Sequence, residues 1–317
     1  MQAIRAAVCD AARLCQLVQE RYLSASAKTT GEHTEPVTIA DYGSQAIIGR
    51  ALQQHYPQDA VIAEESGTQF QQLVSEEQCA QVLQLLAAVL GERVSEAQLL
   101  AWLDFGAGRA SRRTWVIDPI DGTKGFLARR HYAIACGLLV DGRVTDGIVA
   151  APGYNGGEGA LFYTQAAETW RSKLAGGAVQ RLTVSARQDV ADFVVVQSYE
   201  RAHASKSRMG RARELAGVGS ARIIELDSME KYALVAGGDA DLYMRLPRPG
   251  SDYAHKVWDH AAGVALVQAA GGMATGLDGE ELDFSRGETL PNAGMIISNS
   301  QRHDQVVAAV GRVLRDY

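Results

Sequence analysis

The chain predicts an α/β layered fold. Strand patterns at 193–198, 222–226, 241–246 and 294–298 alternate with helical ones through the C-terminal half; such alternation argues for stacked helical and sheet layers. Helical periodicity fills 1–26 and 38–55, and an alternating apolar hairpin lies between the halves. In chain order, Ile4, Val8, Ala11, Leu14 and Val18 share one face of the first helix. Ile39, Ile47, Ile48 and Leu52 give helical spacing that stops before Pro57. Val61 and Ile62 form a short strand, and 74–104 predicts a helical insert. Residues 114–117 make a β-branched and aromatic strand that Pro119 ends. The stretch YAIACGLLVDGRVTDGIVAAP turns at Asp141-Gly142, a strong hairpin signal. GYNGGEG at 153–159 lies between strands and predicts a hairpin turn rather than a phosphate cradle. A last helix is predicted near 303–315.

Composition fits a soluble enzyme: of 317 residues, 47% are hydrophobic and 21% charged. A net charge of −6 argues against sequence-independent nucleic-acid binding, which rests on neutralising phosphates. MQAIRAAVCDAARLCQLVQERYL lacks the apolar core and cleavage site of a signal peptide, and no apolar run is long enough to span a membrane. Cys9, Cys15, Cys79 and Cys136 show no metal-ligand or redox spacing, which predicts thiols in a reducing compartment and a cytoplasmic location. No protein partner is evident.

Chemistry concentrates in WVIDPIDGTKGF at 115–126. An Asp-Pro-Ile-Asp turn can aim Asp118 and Asp121 to one side, and hard divalent cations take such carboxylates together with backbone carbonyls like that of Ile120. Gly122 and Thr123 would then open a helix, where free amides and the helix dipole favour phosphate. An ordinary strand, turn and helix with Asp121 as cap explains the tetrad as well. Three further acidic positions fall at element boundaries. Asp41 sits in the first predicted turn of its helix, where Thr38 and Asp41 also resemble a capping box. Glu64 and Glu65 end a strand, where adjacent carboxylates gain from a cation, although a solvated loop accounts for them too. Asp259 opens the apolar helix that ends at Gly271-Gly272, and an N-cap role alone would explain it.

Asp41, Glu64-Glu65, DPIDGT at 118–123 and WDHAAG at 258–263 together resemble, in order, the motifs of the inositol monophosphatase superfamily. DPIDGTKGF, LDFG ahead of it and LDSMEKYA look most like its lithium-sensitive 3'(2'),5'-bisphosphate nucleotidases. The resemblance implies an αβαβα sandwich of the inositol monophosphatase and fructose-bisphosphatase type. It divides into an N-terminal α+β lobe over 1–155 with most metal ligands and a C-terminal α/β lobe over 156–317 with the nucleotide contacts and the last ligand, forming one compact unit. It also implies two or three magnesium ions held by Glu64, Asp118, the Ile120 carbonyl, Asp121 and Asp259, with Asp41 and Thr123 positioning the attacking water. Gly122, Thr123, His203, Ser228, Lys231 and Arg245 resemble the substrate contacts. The implied activity is removal of the 3'-phosphate from 3'-phosphoadenosine 5'-phosphate, and from its sulfated precursor as a second substrate, with inhibition by lithium.

The pocket residues also have a physical rationale. Ser228 and Lys231, three apart, can share a helical face, and Arg245 leaves the short strand DLYMRLP, where a guanidinium can grip phosphate through paired hydrogen bonds. Arg201, Lys206, Arg208, Arg211 and Arg213 crowd near His203 and suit either electrostatic steering of an anionic substrate or a solvated helix face. PRPGSDYAHK at 247–256 reads as a variable surface loop. A sister phosphatase acting on inositol or other sugar phosphates would share every metal residue and differ only in the pocket. A non-catalytic nucleotide sensor would lack a ligand or a water-positioning residue, and none is missing.

Overall fold

The computed structural model describes residues 1–23, 35–199, 205–248, 250 and 253–316. The chain opens with helix α1 (Gln2–Val18), whose Ile4, Val8, Ala11, Leu14 and Val18 are buried along one face, and a π-helical turn (Gln19–Leu23) extends it. Helix α2 (Glu35–His55) begins a turn earlier than expected. Pro36 is tolerated there because the first N–H groups of a helix have no intrahelical acceptor. Asp41 consequently lies in the second turn and caps nothing. After strand β1 (Ala60–Ala63) and helix α3 (Gly67–Leu73), the predicted 74–104 insert is two helices, α4 (Glu76–Leu90) and α5 (Glu96–Leu103). They are separated by left-handed Gly91, and each opens with a capping box, Ser75 with Gln78 and Ser95 with Gln98.

Strand β2 (Arg113–Asp121) does not end at Pro119. Its register against the next strand shifts between Asp118 and Asp121. An irregularity of this kind accommodates a residue that has no N–H to give to the ladder. A short helix α6 (Thr123–Leu127) follows, then the hairpin β3 (Ala133–Val140) and β4 (Arg143–Ala151), with Asp141 at φ 50° and Gly142 at φ 76° as a type I′ turn requires. The glycine-rich segment forms a kinked turn, α7 (Tyr154–Gly157), between β4 and β5 (Ala160–Gln165), as expected of a hairpin connection. The chain continues through β6 (Glu168–Lys173), β7 (Gln180–Leu182), β8 (Val194–Gln197), α8 (Lys206–Leu215), β9 (Arg222–Glu225) and α9 (Glu230–Ala236). It ends with β10 (Leu242–Arg245), β11 (His255–Lys256), α10 (Ala261–Ala269), β12 (Met273–Thr275), β13 (Thr289–Leu290), β14 (Met295–Ser298) and α11 (His303–Arg315).

β1 to β7 form a seven-stranded sheet in sequence order, so this sheet runs past residue 155 to Leu182. A five-stranded sheet has the order β12-β14-β10-β8-β9, and β11 pairs with β13. One core packs α1, α2, α4 and α5 on the first sheet. A second fills the space between the sheets around α9 and α10, and a third packs α8 and α11 on the far face of the second sheet. The order is helix, sheet, helix, sheet, helix. Helix α10 sits close on the first sheet at Gly147, where a β-carbon would lie 2.2 Å from the Ala262 carbonyl oxygen. Among the described residues, no helix is long and apolar enough to cross a membrane.

Candidate metal and phosphate site

The ends of β1, β2, β8 and β10 open into one cavity of about 310 Å³. Its acidic wall holds Glu64, Asp118, Asp121 and Asp259, and Ile120 also lines the cavity. Ligand atoms of Asp118, Asp121 and Asp259 all come within 4.8 Å of one another. Two side chains of α2 hold the acidic turns in place. Ser44 donates to the Pro119 carbonyl at 3.0 Å, while Gln45 donates to the Glu65 carbonyl at 2.6 Å and accepts from the Glu65 N–H at 2.9 Å. Asp41, Ser44 and Gln45 fall at helical spacings of three and four, so one face of α2 carries all three.

Crowding of like charges sets the electrostatics. Burial raises Glu64 to about 8, helped by Asp259, Glu65 and Asp121, and raises Asp259 to about 6, helped by Asp121. Burial, then the charges of Glu64, Asp121 and Asp259, push Asp118 well above the usual carboxylate range, and its buried Oδ1 has no hydrogen-bond partner. A cluster of oxygen donors that repel one another around an unpartnered carboxylate oxygen fits a hard divalent cation. Asp41 stands behind this wall, buried, and is itself raised by burial, then by Glu64 and Glu65. Thr123 lines the cavity and is exposed at its edge. Asp259 does not cap α10. His260 occupies the N-cap position without a side-chain cap bond, which leaves the Asp259 carboxylate to face the acidic wall.

The opposite wall carries Ser228, Lys231 and Arg245. Ser228 does not share a helical face with Lys231. It precedes α9 at φ 86°, a strained value for a non-glycine residue, and its carbonyl accepts from Lys231 Nζ at 2.6 Å. Gly122, at φ 90°, lets the two loops meet, since a β-carbon there would lie 3.0 Å from Ser228 Cβ. Lys231 is buried, which lowers its pKa against the pull of Asp121 and Asp227. Arg245 is only 9% exposed and its Nε has no partner. His203 lies outside the described residues. Of the basic cluster, Arg201 also lies outside them, Lys206 pairs with Glu225 at 2.7 Å, Arg211 with Glu214 at 3.2 Å, and Arg213 donates to Gln197 at 3.0 Å. Arg208 is buried and donates to the Pro247 carbonyl. These described members therefore brace α8.

Tyr232, Tyr243, Tyr253 and His260 also line the cavity and were not singled out by sequence reasoning. Three of them adjoin residues that were: Tyr232 follows Lys231, Tyr243 shares the strand of Arg245, and His260 follows Asp259. Tyr253 lies in the stretch read as a variable surface loop and, though exposed, lines the cavity.

Fold and cavity together define a layered α/β protein in which an acidic group that could hold a cation faces Lys231 and Arg245 across one cavity. The chain matches the inositol monophosphatase family over residues 1–315 and belongs to that family. It is 34% identical over 346 residues to a 3'(2'),5'-bisphosphate nucleotidase of Oryza sativa, covering 100% of this chain and 94% of that one. It is also 34% identical over 316 residues to a 3'(2'),5'-bisphosphate nucleotidase of Emericella nidulans, covering 88% and 89%. The crystal structure of CysQ from Bacteroides thetaiotaomicron, a bacterial member of the inositol monophosphatase family, shares the fold with a TM-score of 0.64 at 19% identity, over 94% of this chain and 96% of that one.

Proposed function

We propose that this protein is a magnesium-dependent phosphomonoesterase that hydrolyses the 3'-phosphate of 3'-phosphoadenosine 5'-phosphate, releasing adenosine 5'-phosphate and phosphate. The observation that carries the reading is the placement of the Asp118, Asp121 and Asp259 group across one cavity from Lys231 and Arg245. The activity named for the rice and Emericella relatives supports it.

Glu64, Asp118, Asp121, Asp259 and the Ile120 carbonyl would hold two or three magnesium ions. Bound there, magnesium stabilises phosphoryl charge as a Lewis acid and lowers the pKa of bound water. The amide of Gly122 and the hydroxyl of Thr123 bind the phosphate to be cleaved, and Ser228, Lys231 and Arg245 bind the rest of the nucleotide through its 5'-phosphate, with His203 as a further contact. Asp41 and Thr123 orient the attacking water, and Asp41 receives its proton. Burial, then Glu64 and Glu65, raise its affinity for a proton, the direction a general base needs. The two lobes divide the work, the first sheet bringing Glu64, Asp118 and Asp121 and the second bringing Arg245. A cytoplasmic setting accords with Cys9, Cys15, Cys79 and Cys136 all being free thiols.

The test is phosphate release from 3'-phosphoadenosine 5'-phosphate and inositol phosphates side by side, in magnesium, with and without lithium. Strong preference for the nucleotide, with adenosine 5'-phosphate as product and inhibition by lithium, is expected. Preference for an inositol phosphate would keep the acidic wall and overturn the assignment of Ser228, Lys231 and Arg245.

A further inference from the structure

Tyr253 stands where the acidic and cationic walls meet. It is 53% exposed at the cavity edge, yet it is tied on several sides. It lines the cavity together with Asp259 and Arg245, and its hydroxyl interacts with both charged groups. The guanidinium carbon lies 5.1 Å from the centre of the ring, within cation–π range, and His255 meets the ring edge-on with centroids 5.1 Å apart. A phenol hydroxyl has one proton to donate and lone pairs with which to accept. A carboxylate can only accept and a guanidinium can only donate, so a hydroxyl set between them can give its proton to Asp259 and receive one from Arg245.

We propose that Tyr253 is a positioning residue that couples the two halves of the site, its hydroxyl orienting Asp259 toward the metal and its ring and hydroxyl together holding Arg245 toward the substrate phosphate. A carboxylate that accepts one hydrogen bond keeps lone pairs for a cation, and partners of this kind fix the orientation of the metal-binding side chain. On the cationic side, the ring limits the swing of a guanidinium whose Nε finds no other partner. Tyr253 thus acts through Asp259 and Arg245, and its value to the reaction is that both ligands are presented before substrate arrives.

The proposal rests on the reading of Asp259 as a metal ligand and Arg245 as a substrate contact, and calorimetry separates its two arms. Magnesium binding is measured on substrate-free protein, and binding of 3'-phosphoadenosine 5'-phosphate on protein in EDTA, for the wild type, Tyr253→Phe and Tyr253→Ala, with circular dichroism as the check on folding. Tyr253→Phe is expected to weaken magnesium binding about tenfold and the bisphosphate about threefold, because the ring remains under Arg245. Tyr253→Ala is expected to weaken both about tenfold. A Phe variant that binds magnesium like the wild type overturns the Asp259 arm, and an Ala variant that keeps full bisphosphate affinity overturns the Arg245 arm. Should the Ala variant not fold, the Phe variant, which removes a single oxygen, decides alone. Should the wild type bind an inositol monophosphate more tightly than the bisphosphate, the substrate reading falls, while the magnesium arm still decides for or against Tyr253.

Discussion

The two walls of the cavity are built on opposite principles. On the acidic wall, Asp118, Asp121, Glu64 and Asp259 face one another, each raised above its ordinary pKa, with Asp118 Oδ1 lacking any hydrogen-bond partner. On the cationic wall, Lys231 is anchored to the Ser228 carbonyl, and Arg245 is flanked by Tyr243 and Tyr253. The first wall costs the fold stability and gains from a cation, because repelling buried carboxylates are relieved only by neutralisation. The second is held by its own contacts, Lys231 Nζ by the Ser228 carbonyl and the Arg245 guanidinium over the Tyr253 ring. On the function proposed above, the metal side costs folding stability while the substrate side is pre-organised.

Breaking the acidic wall should have the largest effect. Asp121→Asn removes one negative donor from the group while keeping the shape of the side chain, and is expected to lower kcat about a thousandfold in saturating magnesium, with the circular dichroism spectrum unchanged. Activity within tenfold of the wild type would place the metal elsewhere. Breaking the cationic wall should cost less and should discriminate between substrates. Arg245→Ala removes charge-assisted hydrogen bonds, so KM for the bisphosphate is expected to rise about fiftyfold, with at most about threefold for an inositol monophosphate. Equal losses on the two substrates would argue that Arg245 serves a phosphate common to both.

The walls also differ in how far the sequence revealed them. Asp118, Ile120, Asp121, Gly122 and Thr123 lie within one six-residue run, and Glu64 and Asp259 each sit in a short motif, so their convergence is carried by local chain order. The sandwich was legible for a similar reason, through strand and helix periods that recur along the chain. What holds the residues in place was not. Ser44 reaches Pro119 across 75 positions and Gln45 reaches Glu65 across 20, and no local pattern announces such bonds. The left-handed Ser228 was read as helical because sequence spacing suggests a shared face, whereas tertiary packing against Gly122 sets its backbone. For Asp259 local sequence leaves an N-cap role open beside that of a metal ligand, because an acid before an apolar run often caps it; the fold puts His260 at the cap and Asp259 on the acidic wall.

A third effect sharpens the comparison through pH. Glu64 and Asp259 have folded pKa values of about 8 and about 6, above their ordinary 4.5 and 3.8, so in metal-free protein the folded state binds more protons than the unfolded one. Their contribution to stability is therefore complete below about pH 4 and is lost as pH rises through the folded values. His255 works the other way. Burial, then Arg245, lower it from 6.5 to about 4, so its contribution is present above 6.5 and is lost as pH falls toward 4. Above pH 6.5 the carboxylate slope remains, and His131, raised chiefly by its hydrogen bond to Glu230, adds to it with the same sign. Protein in EDTA is expected to melt at lower temperature at pH 8 than at pH 6.5, and magnesium should remove most of that difference by thermal-shift measurement. The same slope with and without magnesium would mean that the histidine, rather than the acidic wall, produces it.

The smallest expected effect tests whether the acidic wall depends on bracing from a distance, as the cationic wall does. Gln45 is 1% exposed and makes a reciprocal pair with the backbone of Glu65, and its removal leaves that N–H and carbonyl without their partner close to Glu64. Gln45→Ala is expected to cost about 2 kcal/mol of stability, the usual penalty for stranding buried polar groups. If the turn is aimed by this pair, magnesium affinity should also fall severalfold, because Glu64 loses its fixed direction even though no ligand has been changed. Calorimetric titration of the folded variant measures the two effects apart. Lost stability with unchanged magnesium affinity would mean that the carboxylates of the acidic wall find their arrangement without help from α2, and that the contrast between a self-repelling wall and a braced one is complete.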